Sequence, residues 1–538
     1  MPNSVSILEP QIPETSPLHK QSGSLVSALA IRERYREDYW RKHDPILEDR
    51  LLWRAQTFRH TVHLLPGQTI LELGCGELRL TRALRQVSRG ENPITAVTFQ
   101  GLACNPSEID SRIEFLRLAE LPGPLAGRRF DCIVAMDLLD RSASSELLEI
   151  VHNLLAPGGE MVFYESNPWN PVHKLRGLLV RIFGKRDPRN LISRPDLYEL
   201  LSEIGFVRIY AVFNDFVFAP LTRPLIWFLR NASILLENAP GLRTLAGSIL
   251  VHAQKAPRAK TSPRVSLFAH ESLRRAVSVV IPCHNEEMNL GPLVEGILAL
   301  YGEYIHEIIP VNDGSTDSTR EVIAELVRKD ARVKPVHRMP PNGVGLAIRD
   351  GLLAATGKYA FTMDCDFQHL LPEFRDLLDG AAEDYDVVIG SRFSRHSVLL
   401  NYPFLKILAN RAFHALVVIL FWRRIRDVTN NLKIMRREVV QDLQLRQPGF
   451  AVNAETGLQP LLLGCRVKLV PISWINRTPG MGVSSFRLVN VGGGYGQVLF
   501  GLWLRYVFGI GPYRALSRQH RVQNSATKQV APEHAGAG

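Results

Sequence analysis

Across residues 277–391 the chain alternates short β-branched runs with longer stretches of helical apolar spacing, and few folds accommodate that pattern. The runs "VSVVIPC" (277–283), "EIIPVND" (307–313), "RVKPVH" (332–337), "YAFTMD" (359–364) and "DVVIG" (386–390) are separated by segments such as "MNLGPLVEGILALY" (288–301) and "STREVIAELVRK" (318–329). Such alternation predicts a mostly parallel α/β sheet. Ligands of these sheets sit beyond the C-terminal ends of the strands. Three polar clusters fall there: "PCHNEE" (282–287), "NDGSTD" (312–317) and "DCDFQH" (364–369).

The last cluster sets Asp364 and Asp366 one residue apart, where like charges repel. Paired carboxylate oxygens at a strand end are hard ligands suited to Mg²⁺ or Mn²⁺. A cation there would bridge to a diphosphate and neutralise charge on a leaving group. An isolated D-x-D is more often a solvated acidic loop, but three polar clusters ending three strands of one sheet argue for a site. In "NDGSTD", Ser315, Thr316 or Asp317 can cap the following helix. That leaves Asp313 open to a base or ribose. "PNGVGLAIRDG" (341–351) is a glycine-rich helix start able to cradle a phosphate.

The first half repeats the theme. "TILELGCGELRLTRAL" (69–84) reads as strand, glycine-rich turn and helix, the nucleotide-binding turn of a Rossmann-like sheet. His60, His63 and His152 are scattered and read as structural. Residues 216–255 are apolar and basic and read as a cap or a membrane-facing element. Residues 252–276, rich in Lys, Arg, Pro and Ser, read as a linker.

Of 538 residues, 46% are hydrophobic and 22% charged, which fits globular domains rather than a disordered chain. The net charge, 64 − 53 = +11, favours acidic partners. Nucleic acid is not expected among them, because the basic residues are dispersed and carry no recognition motif. The six cysteines lie far apart without a CxxC pair, which fits a reducing cytoplasm. Residues 1–24 lack a secretory signal pattern. No run of about 20 apolar residues predicts a transmembrane helix. The stretches 412–422 and 498–510 are apolar and flanked by arginines, which suits helices lying in a membrane interface; for 412–422 a buried core helix fits equally well. The expected location is the cytoplasm, peripheral on the cytoplasmic face of the membrane.

Residues 277–487 resemble family-2 glycosyltransferases of the GT-A fold, and among them the dolichol-phosphate or polyprenyl-phosphate hexosyltransferases. The resemblance rests on "VVIPCHNEEMNL", "VNDGSTDST", "NGVGLAIRDGL", "MDCDFQH", "VIGSRF", "RDVTNNLKIMRREVV", "GFAVNAETGLQPLLLGCRVKLVPISW" and "NRTPGMGVSSF". It implies a metal-dependent, inverting transfer of a hexose from a nucleotide-diphospho-sugar donor to a lipid-phosphate or glycan acceptor. It would place Pro282, His284, Glu286 and Asp313 on the nucleotide. Asp364, Asp366 and Gln368 would hold the metal and diphosphate. Arg392 and Arg477 would meet phosphates through their planar forks. A lipid monophosphate is already an anion and needs no base. A hydroxyl acceptor would need one, for which Glu455 is the candidate beside its plainer reading as a helix-start carboxylate. Two departures stand out. Asn312 replaces the first acid of the usual pair, and "GVSS" (482–485) lacks the usual lysine, for which Arg487 is the candidate substitute.

Residues 50–215 resemble class I S-adenosylmethionine-dependent methyltransferases, through the turn at 69–84, "RFDCIVAMDLLDR" (129–141) and "LLAPGGEMVFYESNPWNP" (154–171). The resemblance implies that Glu72, Gly74 and Gly76 carry the amino-acid end of S-adenosylmethionine, with Asp137 and Leu138 on the rim. Leu78 replaces the third glycine. Thr98 or Phe99 stands where an acid ending the second strand would bind the ribose, a loss of a charge-assisted contact. Two readings stay open: a methyltransferase, acting on the same product or another, and a non-catalytic binding module. The expected organisation is a disordered tail and leading helix (1–49), a methyltransferase-like domain (50–251), the linker (252–276), a GT-A domain ending in a membrane-interface helical segment (277–515) and a disordered tail (516–538).

Overall fold

The computed structural model describes residues 18–41, 44–100, 112–141, 144–182, 191–217, 223–257, 266–365, 371–394, 396–400, 402–475 and 488–513. The chain divides into two compact units near residue 260. Asp366, Gln368, Arg477, the 482–485 segment and Arg487 lie outside the described residues.

The first unit opens with helices α1 (Leu18–Arg41) and α2 (Asp44–Thr61). There follow β1 (Ile70–Leu73), α3 (Arg79–Val87), β2 (Ile94–Thr98), β3 (Ile113–Arg117), β4 (Phe130–Met136), α4 (Ser144–Leu154) and β5 (Leu155–Ser166). The unit closes with α5 (Pro171–Ile182), α6 (Arg194–Ile204), β6 (Phe206–Asn214), α7 (Arg223–Asn238) and β7 (Ser248–Lys255). Its sheet runs β3-β2-β1-β4-β5-β7-β6, with β7 antiparallel to both neighbours. Every residue of β1 and β2 is buried, as expected of parallel strands covered on both faces. The chain order reverses between β1 and β4, which opens the crevice where doubly wound sheets bind ligands.

Here the structure corrects the expected linker and the expected cap. The basic, polar-looking end of 216–255 is an inner strand, and β7 continues four residues into the region read as linker. Its polar side chains find partners inside the unit. The His252 Nε2 and Glu160 Oε2 atoms lie 2.9 Å apart, the Gln254 amide donates to Gly158 O, and Lys255 Nζ donates to the His152 and Leu155 carbonyls. Composition alone does not reveal such partners.

The second unit contains β8 (Val277–Cys283), α8 (Leu290–Tyr301), β9 (Ile305–Asn312), α9 (Thr319–Lys329), β10 (Val336–His337), α10 (Val344–Ala354) and β11 (Tyr359–Thr362). Next come α11 (Leu371–Ala382), β12 (Val387–Ser391), β13 (Val398–Leu400), α12 (Phe404–Phe421), β14 (Lys433–Arg436) and α13 (Arg437–Asp442). The last elements are α14 (Val452–Leu462), β15 (Val467–Pro471), β16 (Ser473–Ile475) and α15 (Leu488–Val507). The large sheet runs β10-β9-β8-β11-β14-β12-β15, and β13 pairs with β16 apart from it. All the predicted strands join the large sheet, and β14 enters between β11 and β12 antiparallel to both. Helix α10 lies close on the sheet at Gly351, where a Cβ would stand 2.4 Å from Val280 Cγ1. Helix α12 starts eight residues before the apolar stretch read from sequence. It is the one helix among the described residues long and apolar enough to cross a membrane by length and composition.

Candidate active site

Cys283 pairs with Asn312 across β8 and β9, and Val280 pairs with Thr362 across β8 and β11. The three strands therefore deliver His284, Asp313 and Asp364 to one edge, at the reversal between β8 and β11. The first two loops are laced together. Asn285 N donates to Ser315 Oγ, Glu286 N to Thr319 Oγ1 and Glu287 N to Asp317 Oδ2. His284 Nδ1 lies 2.9 Å from the Asp313 carbonyl oxygen. The Glu286 carboxylate accepts from the Asn289 amide. Pro282 is half-buried and His284 exposed.

Asp313 differs from expectation. Its carboxylate accepts from the Arg338 guanidinium and, at 2.7 Å, from Gly343 N. Arg338 Nε also donates to Asp350. The acid ties the end of β9 to the glycine-rich start of α10 and is 5% exposed. Arg338 lies 25 residues away in sequence, so the local motif gave no sign of it.

Asp364 is half-buried, and its Oδ1 accepts from the Asn431 amide at 2.8 Å. Asn431 is brought there by β14 and has no role assigned from sequence; its signals are the polar pair "NN" just before that strand and its place in "RDVTNNLKIMRREVV". Carboxylate oxygen so oriented fits a hard divalent cation. The partners expected with it, Asp366 and Gln368, lie outside the described residues.

Arg392, expected to meet a phosphate, is buried and forms a bidentate pair with Asp427, Nε to Oδ2 at 2.8 Å and Nη2 to Oδ1 at 3.0 Å. It also donates to Thr429 and Tyr402. Burial works against the Asp427 charge, but the Arg392 guanidinium holds the acid well below the usual carboxylate range. Fully buried Lys433 donates to Asn453 O and Thr456 Oγ1, both at 2.8 Å. Burial pushes its ammonium down to about 7, against the opposing pull of Asp427. The Glu455 carboxylate accepts from Arg446 N and Gln447 N. Burial raises its pKa. These contacts are those of a carboxylate holding a loop backbone.

In the first unit, the residues assigned to a cofactor meet the chain itself. Glu72 is buried, accepts from Thr81 Oγ1 at 2.6 Å, and is pushed up to about 8 by burial. Gly74 packs on the Leu138 side chain. Asp137, in the left-handed region at φ 52°, accepts from Ser166 Oγ. Burial opposes its charge, but Arg54, Ser166 and Arg36 hold its pKa low. Over this edge lies α1. Its Glu33 accepts from Gly76 N, Thr98 Oγ1 and Phe99 N at 2.8–2.9 Å. Its Arg36 donates to the Gly74 and Met136 carbonyls. A Cβ on Gly76 would stand 2.1 Å from Glu37 Oε1. The packing leaves Glu37 Oε2 and Arg54 Nε buried with no partner among the described residues, a cost of this arrangement.

Comparison with known proteins bears on the second unit. Residues 278–444 match the family described as glycosyl transferase family 2. The chain is 30% identical over 220 residues to a polyprenol monophosphomannose synthase of Mycolicibacterium smegmatis, covering 40% of this chain and 82% of that one. It is 31% identical over 181 residues to a dolichol-phosphate mannosyltransferase of Pyrococcus furiosus, covering 33% of this chain. The chain spans about half, 51%, of that relative's length. A solved structure of glucosyl-3-phosphoglycerate synthase from Mycobacterium tuberculosis, in complex with Mn²⁺ and uridine-diphosphate-glucose, aligns at 20% identity and a TM-score of 0.32. It covers 44% of this chain and 80% of that one.

Proposed function

The chain belongs to glycosyl transferase family 2, and from that premise we propose that its second unit moves a hexose from a nucleotide-diphospho-sugar to a polyprenyl-phosphate-type acceptor at a membrane surface. The observation that carries the reading is the delivery of His284, Asp313 and Asp364 to one strand edge at the reversal of the sheet. The nucleotide lies along the laced loops after β8 and β9, with Pro282, His284 and Glu286 beside it. Asp313 shapes that floor by anchoring Gly343 and Arg338. Asp364, oriented by Asn431, would hold Mg²⁺ or Mn²⁺ with Asp366 and Gln368; such a cation neutralises charge on a diphosphate leaving group. An acceptor phosphate oxygen attacks the anomeric carbon from the face opposite the diphosphate. The carbon–oxygen bond to the nucleotide diphosphate breaks, and the configuration inverts.

A phosphate acceptor fits the surroundings of α12. Burial and the Arg392 charge lower the Lys406 pKa, and burial holds Arg411 down to about 10. Asp427, already paired with Arg392, is the one carboxylate among the described residues that offsets the Arg411 shift, so cations outnumber acids here and suit an anionic partner. A glycan hydroxyl would need a base, and Glu455 is engaged with the backbone at Arg446 and Gln447, so the phosphate acceptor is the favoured reading. Membrane contact would use α12 and α15. Leu405, Leu408, Leu416, Ile419 and Trp422 recur at helical spacing and are exposed, as are Phe500, Val507 and Phe508. Arg423 and Arg424 follow Trp422 and are exposed. An apolar stripe flanked by arginines suits an anionic membrane interface, here the cytoplasmic face.

The test is a donor panel. Purified protein with Mg²⁺ or Mn²⁺ and polyprenyl phosphate in detergent is mixed with GDP-mannose, UDP-glucose and related donors, and products are read by mass spectrometry. A sugar-lipid phosphate formed by the native chain and not by Asp366→Ala is the expected result. Metal-dependent donor hydrolysis without a lipid product would reject the acceptor and keep the transferase. No donor turnover or binding would reject both.

A further inference from the structure

We propose that α1 is the resident occupant of the first unit's nucleotide crevice, so that the full chain takes up no adenosyl cofactor there. The residues do not fit that cofactor, for three separate reasons.

The backbone groups that would face it are already engaged. Glu33 Oε1 accepts from Gly76 N at 2.8 Å and from Thr98 Oγ1 at 2.9 Å, and Oε2 accepts from Phe99 N at 2.9 Å. Arg36 donates to the carbonyl of Gly74 after β1 and to that of Met136 ending β4. These two carbonyls stand on either side of the reversal in strand order, the place where such a sheet binds a ligand. The acid missing from the end of β2 is thus supplied by another element. It serves the protein's own amides and is 0% exposed.

The glycine of the turn is explained without a ligand. A Cβ at Gly76 would meet Glu37 Oε1, Cδ and Cγ at 2.1, 2.4 and 2.9 Å. The space beside this residue is filled by α1. Arg36 and Glu37, paired at 3.0 Å, are 3% and 7% exposed.

Helix α1 is also part of the core. Leu25, Val26 and Leu29 pack in one cluster with Leu71, Leu73, Val97, Phe99 and Leu138. Side chains of β1, β2 and Leu138 thus share one core with the helix. A nucleoside entering the crevice would have to displace the Glu33 and Arg36 hydrogen bonds of a helix held in that core. The first unit then keeps a methyltransferase-like sheet as a closed scaffold.

Two measurements on the full native chain test this. Calorimetric titration with S-adenosylmethionine and with S-adenosylhomocysteine is expected to give no saturable heat at affinities tighter than about 1 mM. Hydrogen exchange without ligand is expected to show the Gly76 and Phe99 amides exchanging at least about 100-fold more slowly than exposed loop amides. Saturable binding of either compound overturns the proposal. So does exchange of these amides at loop rates, since the crevice would then be open and merely lack affinity. Neither result bears on the glycosyltransferase reading.

Discussion

The side-chain amide of Asn431 donates to Asp364 Oδ1 at 2.8 Å across 67 residues of sequence. It thereby couples the loop after β11 to the entry of β14. A hydrogen-bonded partner that orients a ligating carboxylate typically changes metal affinity by about 10–100-fold when removed. Asn431→Ala is therefore expected to raise the half-saturating Mn²⁺ concentration for donor turnover by at least about 10-fold, with a smaller loss of kcat at saturating metal. A metal titration of both proteins measures it. An unchanged titration midpoint would detach Asn431 from the metal side of the site.

Lys433 makes stability depend on pH. Its folded pKa is lowered from 10.5 to about 7, chiefly by burial. Between pH 7 and 10.5 the unfolded chain binds this proton and the folded one does not, so stability rises with pH across that window. The slope approaches about 1.4 kcal/mol per pH unit for one such group. Urea unfolding of the native chain and of Lys433→Met at pH 7.5 and 9 is expected to show the native chain gaining relative to the variant. Parallel changes in the two proteins would contradict it.

Gly76 tests the contact with α1 by a double-mutant cycle. Gly76→Ala adds a Cβ against Glu37 Oε1 and strains a residue at φ 52°. Backbone strain alone accounts for about 1–2 kcal/mol. The total loss in Gly76→Ala is expected to exceed that, and the excess is expected to disappear in a Glu37→Ala background. Additive losses would mean that Glu37 moves aside without cost.

Ile419 lies on the outer side of α12 and Trp422 caps its C-terminus, 66% and 90% exposed. Replacing both by Glu leaves the buried face of Ile407, Val417 and Phe421 intact. Sedimentation with anionic vesicles is expected to show binding weakened by at least about 10-fold, from lost apolar contact and added repulsion. Unaltered binding would place the membrane contact elsewhere.

The strand edge of the second unit was legible because the fold declares itself locally. His284, Asp313 and Asp364 each follow a β-branched run, and position in the run fixes position in the site. What was not legible depended on partners far along the chain. Asp313 read as open because Arg338 stands 25 residues away. Arg392 read as a phosphate ligand because Asp427 lies 35 residues on. Asn431 escaped notice because nothing in the alternation announces a strand inserted antiparallel. In the first unit, "IRERYREDYW" has the composition of a solvated helix face. Its Glu33, Arg36 and Glu37 are buried only because the strand ends offer them amides, carbonyls and each other.

The insertion of β14 also dictates an order of assembly. The neighbours it separates, β11 and β12, are complete by Ser391, yet the strand that bonds to both begins at Lys433. During synthesis the middle of this sheet stays unclosed for more than 40 residues of further elongation. Pairings so distant in sequence form slowly, and domains mature as units from the N-terminus onward. A nascent chain halted before β14 would already carry the motifs after β8, β9 and β11 on an unfinished sheet, with β11 open on one side and β12 on both. Arrest-length profiling should therefore show protease resistance in the second unit arising in one late step, after β14 has left the ribosome, well behind that of the first unit.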